Sequence, residues 1–240
     1  MNDRIEALIL RVDPYKEADG LLQVLTKEHG KMTILAKGIL KGSSKNAASV
    51  QPITLSNMML DIKDPISLLH SASIIDFFRV IKENITHLAV ASLIAEIALQ
   101  VSSSHQPDDY LYEITKESLN ACSQYPPILV GCLYVSLILK EMGLSPMVDG
   151  CVVCDDTKVS AISVSEGGFV CLRCAKNVTS TSYDASFSRL FRYTAKAELQ
   201  HLSTLAKQGE YTLELLSVFV DFFKDYTSIP LKSWEFLRKL

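Results

Sequence analysis

An α+β chain is expected: a small closed β-barrel of five strands, then a helical domain that carries an inserted four-cysteine region. Three observations predict it. Apolar runs with strand-like spacing crowd into the first 75 residues, and after Ile75 the apolar period changes to 3.6. Two CxxC pairs, Cys151-Val-Val-Cys154 and Cys171-Leu-Arg-Cys174, then interrupt the helical part with sixteen residues between them. The division expected is residues 1–76 for the barrel and 77–240 for the helical domain, with the insertion at about 147–178.

The elements follow in order. Ile5 to Val12 is apolar on both faces apart from Glu6 and Arg11, as a barrel strand can be, and Pro14-Tyr15 reads as a break. Leu21 to Thr26 is a second strand with His29-Gly30 at its turn, and Met32 to Lys37 is a third. After Pro52, Ile53 to Lys63 alternates, with Met58, Leu60 and Ile62 on one face. Asp64-Pro65 signals a turn, and Ser67 to Ile75 is a fifth strand with Leu68, His70, Ala72 and Ile74 on one face. Five short strands in this length suit a barrel of the OB type. Val90, Ile94, Ile97 and Val101 then share a helical face. A second helix runs from about Asp108 to Cys122, and a third opens at Pro126-Pro127 and stops at Gly143. Helices resume near Ser186. Leu215, Phe219, Phe222 and Tyr226 form an aromatic stripe that reads as core, and the last ten residues form a short amphipathic helix.

Two CxxC knuckles at this separation suit a tetrahedral site of four thiolates, with Cys151, Cys154, Cys171 and Cys174 as ligands to a structural Zn²⁺. Gly167-Gly168 supplies the turn that returns the second pair. Four thiolates would leave no coordination position for a catalytic water. Two disulfides and a redox-active dithiol are the alternatives. No secretory signal opens the chain, since Met1-Asn2-Asp3 runs straight into charged sequence; a reducing cytosol is expected, which favours metal. Cys122 and Cys132 stand apart in apolar helical surroundings and read as core thiols.

The 240 residues are 48% hydrophobic, enough for a sizeable core, yet no apolar run is long enough to span a bilayer. The net charge of −3 argues mildly against nucleic acid, but the charge is uneven. Lys27, Lys31, Lys37, Lys41 and Lys45 stand against the single acid Glu28, a local +4, and the segment around Lys41-Gly-Ser-Ser-Lys45 is small and polar. These five lysines, with Arg11 as a weaker member, are candidate phosphate contacts; a merely solvated loop is the competing reading. Lys232, Arg238 and Lys239 are a candidate second contact. No phosphate-binding glycine loop, dinucleotide fingerprint, deaminase signature or nucleophile elbow occurs, so a binding protein is favoured over an enzyme.

Ala7-Leu-Ile-Leu-Arg11, Tyr15-Lys-Glu17-Ala-Asp19, Leu25-Thr-Lys-Glu-His-Gly-Lys31, Ala36-Lys-Gly38 and Gln51-Pro52 occur in that order. Gly143-Leu-Ser-Pro146, the two CxxC pairs and Leu231-Lys-Ser233 with Phe236-Leu237 follow. This ordered set resembles the bacterial RecO family of recombination mediators, in its zinc-bearing form. The resemblance implies an N-terminal OB-fold and a C-terminal helical domain with a zinc insertion. It implies binding of single- and double-stranded DNA, annealing of complementary strands, and work with RecR and RecF. It also implies contact with the acidic tail of single-strand-binding protein, help to RecA in loading on single-stranded DNA, and a cytoplasmic, nucleoid-associated location. It implies no nucleotide hydrolysis. Two features depart from a DNA annealer. The chain is slightly acidic, and Tyr15 is the only aromatic residue before Phe77, so base stacking on the barrel is thin. A protein-binding adapter with little DNA affinity of its own is therefore the competing function.

Overall fold

The computed structural model describes residues 2–240. Five strands, β1 (Asn2–Tyr15), β2 (Asp19–Thr26), β3 (Gly30–Ala36), β4 (Thr54–Asp61) and β5 (Ser67–Asp76), close a barrel in the order β1-β2-β3-β5-β4. All neighbours are antiparallel except β3 and β5, which pair in parallel at Ile34–Ser67 and Leu35–Leu68. The expected five-stranded barrel is present. Its interior holds Ile5, Ala7, Ile9, Leu22, Val24, Met32, Ile34, Met58 and Leu60.

Two strand details differ from expectation. Pro14 does not break β1: the strand continues to Tyr15, pairs Pro14 with Gly20, and turns at Lys16 with positive φ. In β5 the register slips at His70, so Leu69 pairs with Leu60 but Ser71 pairs with Met59. This bulge switches which residues point inward. The inner side is Leu69 and Ala72, not the set of Leu68, His70, Ala72 and Ile74, and Ile74 is exposed.

The helices are α1 (Arg79–Lys82), α2 (Ile85–Val101), α3 (Asp109–Cys122) and α4 (Pro127–Glu141). After the insertion come α5 (Ala185–Lys196), α6 (Leu202–Leu205), α7 (Leu213–Thr227) and α8 (Lys232–Leu237). Their starts are encoded locally. Asn84, Asp108, Asp184 and Thr212 each accept a hydrogen bond from a first-turn amide, satisfying donors that the helix cannot. Pro127 opens α4, and the chain leaves that helix through Gly143. None of the described helices is long and apolar enough to cross a membrane.

The chain forms two compact units, Met1–Ser123 and Gln124–Leu240. The first unit joins α2 and α3 to the barrel. Tyr112 and Lys116 of α3 both donate to Glu6 of β1, at 2.6 and 2.8 Å. Leu8 and Leu10 of β1 are buried although their neighbours Ala7 and Ile9 fill the interior. The outer face of β1 is apolar because α2 packs on it. In the second unit, Phe219, Phe222 and Phe223 of α7 pack in the core with α4, as the aromatic stripe suggests, while Tyr226 stays half-exposed.

Candidate metal centre and nucleic-acid interface

The insertion is a three-stranded sheet of β6 (Val159–Ser163), β7 (Gly168–Cys171) and β8 (Thr181–Ser182), in the order β7-β6-β8. Two adjacent glycines make its hairpin, for different reasons. Gly167 has φ of +91°, open to a residue without a side chain. At Gly168 a Cβ would lie 2.2 Å from the Met147 carbonyl oxygen. That close approach lets Met147 bond on both sides, its N–H to Gly167 and its carbonyl to Phe169 N–H.

The hairpin sets the second cysteine pair against the first. Val152 N–H donates to the Phe169 carbonyl, and Asp155 N–H to that of Cys151, with Asp155 at φ 60° to close the knuckle. The four sulfur atoms then lie within 4.8 Å of one another. Cys154 Sγ is 3.7 Å from Cys171 Sγ and 3.6 Å from Cys174 Sγ. These gaps are far longer than a disulfide bond of about 2.05 Å. They match the roughly 3.8 Å edge of a tetrahedron with metal–sulfur bonds of about 2.3 Å. The cluster can hold a metal ion.

Its electrostatics point the same way. Burial resists ionisation of Cys151, but the backbone amides of Cys171, Val153 and Cys154 outweigh it and bring the thiol down to about 6. The Cys174 amide lowers Cys171 as well. Cys174, whose thiol donates a hydrogen bond to the Cys154 sulfur, is pushed up to about 12. Charge accumulating on neighbouring sulfurs must be balanced, which a dication does. Arg173, inside the second knuckle, is held in its charged form by the sulfurs of Cys154 and Cys174. The cysteines outside the cluster behave as core residues: burial pushes Cys122 up to about 12 and raises Cys132 strongly.

The cysteines alone do not anchor the insertion. Phe169 is buried and meets Phe191 of α5 edge-on, with ring centroids 5.6 Å apart. Phe191 in turn lies 4.9 Å from Phe219. The insertion is therefore tied to the helical core by its own apolar residues.

The six candidate phosphate contacts of the barrel fall into two groups. Three are engaged by the protein. Lys27 pairs with Glu113 at 2.7 Å, Lys31 donates to the Leu99 carbonyl in the last turn of α2, and Arg11 pairs with Asp13 at 2.9 Å. The other three, Lys37, Lys41 and Lys45, are exposed on the β3–β4 loop, with no acidic partner among the described residues. That loop is fastened at its base. Gly38 N–H donates to Asp19 at 2.7 Å, Leu40 N–H to the Ala18 carbonyl, and Asn46 accepts from Ala72 N–H. Ile39 is buried in the barrel interior. The lysines project from an ordered frame.

Lys232, Arg238 and Lys239 are exposed on and after α8, and Arg238 pairs with Glu235 at 2.5 Å. Only Lys232 lies within this helix of six residues; Arg238 caps its end and Lys239 follows it. Sequence reasoning missed Lys82. It donates to Thr54 at 2.7 Å and sits 3.5 Å over the Phe77 ring, and burial lowers it to about 8.

Residues 1–78 match the family described as Recombination protein O N terminal, and residues 82–235 match Recombination protein O C terminal. The chain belongs to the RecO family. Its relatives include "DNA repair protein RecO" of Bacillus cytotoxicus and of Bacillus mycoides, each 26% identical over 243 residues. Each alignment takes in 100% of this chain and 98% of the relative. "DNA repair protein RecO" of Halalkalibacterium halodurans is 25% identical over all of this chain and 96% of its own length. The barrel, the helical region and the cysteine cluster thus lie in a chain aligned to RecO proteins along its whole length.

Proposed function

We propose that this RecO-family chain is a recombination mediator. It binds DNA without sequence specificity, anneals complementary strands and, with RecR and RecF, assists RecA in loading on single-stranded DNA. The observation that carries the DNA-binding step is the β3–β4 loop, where Lys37, Lys41 and Lys45 face solvent unpaired on a fastened base. Lysine suits the task because a compact charge on a flexible stem neutralises phosphate without reading base identity. Lys27, Lys31 and Arg11 join only by giving up their present partners. Lys232, Arg238 and Lys239 supply a second contact that lets two strands be held together. The cysteine cluster holds Zn²⁺ in a structural role, because four thiolates at tetrahedral spacing suit it and leave no open position. Contact with the acidic tail of single-strand-binding protein belongs to the same reading.

One observation favours the adapter reading, in which a RecR-type partner supplies most of the DNA site. Three of the six candidate cations are already engaged within the protein, so the candidate site has less free charge than its sequence suggests. Anisotropy of a labelled oligonucleotide across a salt series separates the two. Three phosphates neutralised by the loop alone give a slope of about −2 in log K against log salt; recruitment of all six cations gives about −4. Binding only when RecR is added selects the adapter. A slope near zero for the chain and RecR together removes the lysine loop from both readings.

A further inference from the structure

The second compact unit contains a cavity of about 470 Å³ framed by β6, β7 and α5. That volume suits a small ligand. Val159 and Phe169 give it an apolar floor, and Arg189 and Arg192, three residues apart on α5, share its rim. Arg192 is fixed in place: its Nε donates to the Val148 carbonyl at 2.7 Å, and its guanidinium lies 5.3 Å over the Phe169 ring. Arg189 is exposed, and neither arginine has an acidic partner among the described residues. Two guanidinium groups at one opening, neither of them ion-paired, can hold an anion, although Glu214 and Asp221 act on Tyr183 of the same lining.

The rest of the lining is aromatic and polar. Tyr183 is held parallel to Phe187, with centroids 4.0 Å apart, and Tyr193 is exposed beside Arg192. Ser160 also lines the cavity, and its hydroxyl is sealed from solvent with no hydrogen-bond partner. A buried hydroxyl without a partner is uncommon, and a rotation about χ1 would offer it to a bound molecule. A pair of guanidinium groups beside flat aromatic faces favours a ligand that joins a phosphate to a planar ring. A simple carboxylate would leave the tyrosines unused.

We propose that this cavity binds a nucleoside phosphate. Arg189 and Arg192 hold the phosphate, a tyrosine ring takes the base, and Ser160 supplies a hydrogen bond. A free nucleotide and the 5′-phosphorylated end of a single strand share this chemistry. The site is separate from the lysine loop, which lies in the other unit.

Calorimetric titration of the full-length, metal-loaded chain with deoxyadenosine 5′-monophosphate tests it. One saturable site per chain is expected. Deoxyadenosine and inorganic phosphate should each bind at least about tenfold more weakly, and Arg189→Ala and Tyr193→Ala should each cost about tenfold. Both replaced side chains are exposed, so the fold is retained. No saturable binding overturns the proposal. So does phosphate binding as tightly as the nucleotide, an unaffected Arg189→Ala, or stronger displacement by an acidic peptide than by any nucleotide. Reversing the charge of Lys37, Lys41 and Lys45 should leave nucleotide binding unchanged, so failure here and failure of the loop assignment are distinguishable. In that loop variant, competition by 5′-phosphorylated but not 5′-hydroxyl oligonucleotide assigns the site to strand ends. Competition by neither assigns it to free nucleotide.

Discussion

Lys82 shows how one residue can carry a pH dependence that no motif announces. Burial brings its ammonium down to about 8, against the opposing pull of Asp76, while a lysine in an unfolded chain titrates near 10.5. Between these values the unfolded chain binds more protons than the folded one, so this residue makes stability rise with pH across that window. Below about pH 8 both states are protonated and the cost of burying the charge is present in full. The side chain is only partly buried, and solvent screening keeps the increment small, below about 1 kcal/mol. Lys82→Met should abolish it. Urea unfolding of both proteins at pH 7.5 and 10.5 measures the difference; equal changes in the two would count against the assignment. The lysine was illegible in sequence because its hydrogen-bond partner, Thr54, lies 28 residues earlier on β4. The four clustered cysteines were legible because their geometry is written in short local spacings. The lysines lie between these cases. Their charge could be counted, but Glu113 and the Leu99 carbonyl, which engage Lys27 and Lys31, are distant in sequence.

At the scale of elements, the strands and helices followed from period and punctuation, with two exceptions. A bulge is a slip of one residue and leaves no trace in an apolar pattern, so the inner face of β5 was misassigned. Pro14 stays in β1 because it sits near the strand's end, beside the tight turn into β2. The cysteine hairpin carries a prediction of its own. Cys171→Ser removes a ligand and the acceptor of the Cys174 amide. Metal content should fall from about one equivalent per chain toward zero, and the backbone amides of Val152 to Asp155 should lose protection from exchange. Because Phe169 remains packed on Phe191, the core of α4, α5 and α7 should stay folded. A variant that keeps its zinc would refute the ligand set; one that loses all structure would show the metal to be more than a local fastener.

For the molecule as a whole, the sequence divides where its period changes, but the structure divides where burial is complete. The outer face of β1 explains the gap. Leu8 and Leu10 are apolar on the side away from the barrel interior and need α2 to cover them. A fragment ending at Asp76 should therefore aggregate or bind a hydrophobic dye, whereas one ending at Ser123 should unfold cooperatively as a monomer. Equal solubility of the two would mean that the helices are dispensable to the barrel.

The parallel seam between β3 and β5 has a consequence for motion. It is held at only two registered positions, Ile34–Ser67 and Leu35–Leu68, while β1 and β2 are paired along eight. Local opening is cheapest where the ladder is shortest. The β3–β4 loop leaves from the last residue of β3, directly beside that seam. Native-state hydrogen exchange should find Leu35 and Leu68 among the fastest amides of the barrel strands. Each such opening would let the three loop lysines swing together as one unit, changing their reach along a phosphate chain without unfolding the frame that carries them.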